Sequence, residues 1–151
     1  RQGCVILADP HLGILDGVHR LLESSFETLV MVSDERSLTE AIEKIHPCLL
    51  VVDLSLSDTG EANIVKRLHH SHPNIPLIIL SVHDEPTVEA DVRAAGAAGF
   101  VIKRNVGREL PAVVRAYVID RECVFIRNLH FVVFFSNENP CTDQQHPAGK
   151  Q

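Results

Sequence analysis

Cys48-Leu49-Leu50-Val51-Val52-Asp53 is an unbroken apolar run closed by a carboxylate. A strand with one wet face alternates apolar and polar residues, whereas a strand covered on both faces stays apolar throughout. This run is of the second kind. Outward from it, residues 4–8 and 76–81 read the same way, and residues 28–32 and 99–103 complete a set of short strands.

The segments between the strands have helical spacing. Leu15, Val18 and Leu22 share one face, as do Leu38, Ala41, Ile42 and Ile45, then Ile64, Val65 and Leu68. Val88, Val92 and Ala95 mark a fourth helix, and Leu110, Val113, Val114 and Tyr117 a fifth. Ser37 with Glu40 has the spacing of a capping box, Asp84 and Asn105 stand where N-caps belong, and Asp58 or Thr59 suits the third helix. Strictly alternating β and α segments imply a parallel sheet with helices on both faces, because each return crossover must pack back on the sheet. The expected fold is α/β, a doubly wound five-stranded flavodoxin-like sheet of order 2-1-3-4-5 with five helices and an extra C-terminal tail. In that fold ligands bind at the carboxyl ends of the strands.

At 151 residues and 45% hydrophobic content the chain suits one domain. A net charge of −6, from 20 acidic and 14 basic side chains, offers no stripe of cations to follow a phosphate backbone, which argues against direct nucleic-acid binding by this segment. No apolar stretch approaches the ~20 residues that cross a bilayer, so no membrane partner is expected. The opening on Arg1 rather than Met reads as a piece of something longer. Cys4, Cys48, Cys123 and Cys141 form no C-x-x-C pair and are too scattered for a disulfide framework, which fits a reducing, cytoplasmic setting. In register on adjacent parallel strands, Cys4 and Cys48 would sit side by side as buried free thiols.

The expected domain spans residues 1–122, with residues 123–151 as an extension in which no output domain is visible. Residues 123–126 and 131–135 are apolar enough for strands, and the second run has two open fates, packing on the domain or burial in a dimer. Residues 136–151 turn polar, with Pro140, Pro147 and Gly149, and are expected to be largely disordered.

The strand assignments place Asp9 after the first strand, Asp53 at the end of the third, Ser81 at the end of the fourth and Lys103 at the end of the fifth. Separate segments thus bring two carboxylates, a hydroxyl and an ammonium to one rim. Around these residues the chain, over about residues 4–120, resembles the bacterial response-regulator receiver family. Val5-Ile-Leu-Ala-Asp9 followed by His11, Val51-Val-Asp53-Leu-Ser-Leu-Ser-Asp58-Thr-Gly60, Ile79-Leu-Ser81 and Gly96-Ala-Ala-Gly-Phe-Val-Ile-Lys103 carry the likeness. Their style is closest to receivers that precede a helix-turn-helix transcriptional domain.

The resemblance implies a two-component signalling module, not an enzyme acting on outside substrates, in which Asp53 accepts a phosphoryl group from a sensor histidine kinase. It implies that Ser81 and Lys103 contact the phosphoryl group and that Phe100 turns inward as a switch aromatic. It also implies Mg2+ held by Asp9, Asp53 and the Ser55 backbone carbonyl, and a homodimer as a further partner state. DNA would be reached only through an output domain.

The chain departs from the family at Pro10, where a second acidic residue normally coordinates Mg2+, so weak or absent metal binding is expected. The alternative reading is a degenerate receiver, an interaction module that works without phosphate. Val82 is bulkier than the small residue often found after the serine, and Ser57 replaces a common proline. An aspartyl phosphohydrolase would need an acid two residues after the nucleophile, where Ser55 stands. His69, His70 and His72 lie at the end of the third helix, where imidazolium complements the helix dipole, and read as solvated residues.

Overall fold

The computed structural model describes residues 2–11, 16–56, 61–118 and 132–135. Strands β1 (Gln2–Ala8), β2 (Phe26–Val32), β3 (Leu49–Asp53), β4 (Leu77–Ser81) and β5 (Gly99–Ile102) alternate with helices α1 (Asp16–Ser25), α2 (Glu35–Ile45), α3 (Glu61–Ser71), α4 (Pro86–Ala94) and α5 (Val106–Val118). A short strand β6 (Val132–Phe135) follows, and all neighbouring strands pair in parallel in the order β5-β4-β3-β1-β2-β6. The expected order 2-1-3-4-5 is therefore present, with a sixth strand laid against the free edge of β2.

The sheet is apolar on both faces because both are covered. Ile6, Ala8, Val30, Leu50, Val52 and Ile79 face Leu38, Ile42, Ile64, Leu68 and Val92 of α2, α3 and α4. Their neighbours Val5, Leu7, Leu29, Leu49, Val51, Ile78 and Leu80 face Val18, Leu22, Leu110 and Val114 of α1 and α5. Burying each large aliphatic side chain stabilises by roughly 1.5–3 kcal/mol, so these two layers fix the register. α5, which follows β5, packs on the same face of the sheet as α1.

Local expectations needed three corrections. The cap of α2 is Asp34, in extended backbone, whose Oδ1 accepts from the Ser37 amide at 2.8 Å, and Ser37 lies within the helix. The cap of α4 is Glu85 with Pro86 following, while Asp84 turns to Arg104. Cys48 is adjacent to Cys4, its amide 2.9 Å and its Sγ 3.3 Å from the Cys4 carbonyl oxygen, yet the side chains pack into opposite layers and the two are not joined in a disulfide. Burial pushes the Cys4 thiol up to about 12. Asp58, Thr59, Ser57, Cys123, Cys141, the expected strand at 123–126 and the tail at 136–151 lie outside the described residues.

Candidate functional site

Every parallel strand ends on the same side of the sheet, so the last residues of β1, β3, β4 and β5 form one rim. Asp9 extends β1 by one residue, its amide donating to the Val32 carbonyl at 3.0 Å, and is fully buried. Asp53 closes β3 and Ser81 closes β4, both buried, and Lys103 follows β5 on a 3-10 turn. The structure thus brings together Asp9, Asp53 and Lys103 in direct contact, with Ser81 at the end of the strand next to Asp53.

Lys103 is the pivot of the charges. Its Nζ lies 2.8 Å from Asp9 Oδ2 and pairs also with Asp53 Oδ2. The buried Asp9 Oδ2 thus has the Lys103 ammonium as its charge partner. Burial pushes the Asp9 carboxyl up, against the opposing pull of Lys103. Burial acts on Asp53 in the same direction, but the Lys103 ammonium and the Ser55 amide together outweigh it and hold that carboxyl below its usual value. Burial works against the Lys103 charge, and the two carboxylates overcome it and raise its pKa.

The remaining oxygens are held by local turns. Asp53 Oδ1 accepts from the Ser55 amide at 2.8 Å and the Ser55 hydroxyl at 3.0 Å, on the 3-10 turn Leu54–Leu56. Asp9 Oδ1 accepts from the His11 amide at 2.7 Å, so the chain folds back over Asp9 just past Pro10. Ser81 Oγ accepts from the His83 amide at 2.9 Å, and Val82 beside it is 67% exposed. Phe100 is buried against the α2, α3 and α4 layer. Arg104 and Asp84, 2.8 Å apart, tie the turn after β5 to the loop after β4, and the hydrogen bond from Arg104 holds the Asp84 carboxyl below its usual value.

One feature escaped sequence reasoning. Donor atoms of Asp9, His11 and Asp53 lie within 4.8 Å of one another, and among the described residues this is the group of His, Cys, Asp and Glu side chains placed to hold a metal ion. His69, His70 and His72 form no such group. Instead His69 packs beneath the turn at Gly96. The signal for His11 was its spacing two residues beyond Asp9, where an Asx turn returns the chain. Among the described residues no helix is long and apolar enough to cross a membrane.

The response regulator receiver domain model matches residues 5–115. The transcriptional regulatory protein DegU of Brevibacillus brevis is 26% identical over 101 residues, which cover 66% of this chain and 43% of DegU. The response regulator UvrY of Escherichia coli K12 is 25% identical over 115 residues, covering 74% of this chain and 52% of UvrY. The chain spans about half the length of these relatives. Among solved structures, RcsB of Salmonella enterica bound to the rprA promoter aligns with a TM-score of 0.67 at 25% identity, covering 75% of this chain and 66% of that one. The signal receiver domain of a Mycobacterium tuberculosis NarL response regulator aligns at 0.69 and 23% identity, covering 80% of this chain and 99% of that domain. With the matched region embracing the whole rim from Asp9 to Lys103, the chain belongs to the receiver-domain family of two-component response regulators.

Proposed function

We propose that Asp53 is the phosphoryl acceptor of this receiver and that its own chemistry is confined to gaining and losing that group. The observation that carries the reading is Lys103 paired at once with Asp53 and Asp9 at the strand-end rim. The depressed pKa of Asp53 keeps it ionised and nucleophilic. Phosphoryl transfer depends mainly on positioning and on compensating charge over the equatorial oxygens, and the Lys103 ammonium stands where that charge would develop. Ser81 accepts rather than donates in its turn with His83, so its hydroxyl proton remains available for a phosphoryl oxygen. The burial of Phe100 in the layer beneath α4 supports reading it as the switch aromatic.

The residues fit a divalent cation. Ligand atoms of the Asp9 and Asp53 carboxylates lie within 4.8 Å of each other, which supports this reading, and the proposed third oxygen is the Ser55 carbonyl on the turn that follows. Such an ion, Mg2+ in the family's usual practice, would neutralise the incoming phosphoryl oxygens. Pro10 supplies no ligand and weakens the set. The proposed donor is a sensor histidine kinase in the cytoplasm, and the consequence is a change of partner or dimer contacts. DNA would be reached through an output domain such as the helix-turn-helix relatives imply, with residues 1–122 forming the receiver unit.

Incubation with Mg2+ and a small phosphodonor, followed by intact-protein mass, tests the acceptor. A phosphoryl adduct that is lost in Asp53→Asn is expected. Its absence from the unsubstituted protein would overturn the proposal and leave an interaction module that works without phosphate, the reading Pro10 favours.

A further inference from the structure

Pro10 removes a carboxylate from the rim, and the same turn delivers a different donor. The Asx turn that binds the His11 amide to Asp9 Oδ1 at 2.7 Å brings the imidazole Nδ1 to 3.6 Å from that oxygen. Asp9 is fully buried, Asp53 nearly so, and the His11 side chain is 59% exposed. Two oxygens thus stand at the floor of the rim and one nitrogen at its mouth, where water can complete a coordination shell. Ligand atoms of Asp9, His11 and Asp53 lie within 4.8 Å of one another, close enough to share one ion.

Resting on the proposed function of this rim, we propose that His11 is a metal ligand in the position vacated at Pro10, and that the site selects a divalent transition ion over Mg2+. The reason lies in donor chemistry. Mg2+ takes hard oxygen ligands in a nearly ideal octahedron and surrenders its waters reluctantly. Imidazole nitrogen suits Fe2+, Co2+, Ni2+, Cu2+ and Zn2+, and affinity for such N and O sites rises from Mn2+ through Co2+ and Ni2+ to Cu2+ and falls again at Zn2+. A set of two carboxylates and one imidazole therefore keeps the neutralising charge that the rim requires while shifting its preference from Mg2+. Lys103 neutralises one of the two carboxylates, so an added divalent ion leaves the rim with one net positive charge, suited to a phosphoryl group.

The test titrates the full chain with Co2+ alone and with Mg2+ alone, by calorimetry and by the visible absorption of Co2+, which reports nitrogen ligation. Because the chain holds nine histidines, binding is assigned through the difference made by His11→Ala and Asp53→Asn. The expected result is Co2+ binding on the order of tenfold or more tighter than Mg2+. His11→Ala should lower Co2+ affinity by about the same factor, change the absorption band and leave Mg2+ affinity nearly as it was. Pro10→Asp should strengthen Mg2+. Co2+ affinity and spectrum unchanged in His11→Ala, or equal binding of Mg2+ and Co2+, would overturn the inference. A phosphodonor arm separates it from the acceptor assignment. An adduct at Asp53 without His11-dependent binding refutes the ligand alone, whereas His11-dependent binding with no adduct refutes the acceptor and leaves the ligand standing.

Discussion

Lys103 faces two buried carboxylates, and replacing it removes the charge that lets both ionise. Lys103→Met is expected to destabilise by about 3–5 kcal/mol near neutral pH, as breaking a buried pair does, and by clearly less in acid. In the intact protein the Asp53 pKa lies below its unfolded value, so its ionised form contributes stability above the ordinary carboxylate range, lost as pH falls through the depressed value. Without Lys103, burial governs both carboxyls and raises them, so ionisation then costs stability as pH rises. The gap between the two proteins must widen from about pH 4 to about pH 7, and urea titrations at both would show it. An equal gap at both would mean that Lys103 acts through the packing of its stem. Asp9, Asp53, Ser81 and Lys103 were legible in the sequence because parallel strands all end at one rim. The opposite directions in which Asp9 and Asp53 are shifted were not, since they depend on which oxygen meets which donor. The return of His11 over Asp9 depends likewise on a turn.

The helices show what strand and helix periodicity cannot resolve. Gly96 ends α4 with φ +122°, and a Cβ there would fall 2.4 Å from the His69 ring. Gly107, in the first turn of α5, has nothing within 4 Å of an added Cβ. Gly96→Ala should therefore destabilise by about 1–3 kcal/mol, while Gly107→Ala should stabilise by about 0.4–1 kcal/mol. Thermal melts of the two variants must move in opposite directions, and a matching fall would show that α5 needs Gly107 for a reason other than backbone freedom. Neither glycine can be told from the other in the sequence, because both stand beside helical segments. The α2 cap was misplaced for a related reason. Asp34 and Ser37 are both cap-type residues three apart, and only the extended backbone at Asp34, φ −151° and ψ 165°, identifies the one outside the helix.

Over the whole molecule, β6 decides which strand edge is closed. Val132 to Phe135 pair with Leu29 to Val32 of β2, so the carbonyls and amides on that side of β2 are engaged within the chain. Removing residues 119–151 is expected to speed hydrogen exchange in β2 while β3, central in the sheet, stays protected. Unchanged exchange in β2 would show that β6 does not hold its edge in solution. The two-layer core was readable because unbroken apolar strands demand two covers. The partner of a short apolar run was not, because its pairing depends on which edge remains open once the other strands are placed. That β6 is parallel has a further meaning for chemistry at the rim. Phe135 is level with Val32, whose carbonyl receives the Asp9 amide. With strands about 4.8 Å apart, the chain leaves Phe135 only about 10 Å from the end of β1. Anything joined there, a fluorophore or a fused protein, would begin its path beside the carboxylates and sense a change of charge at close range.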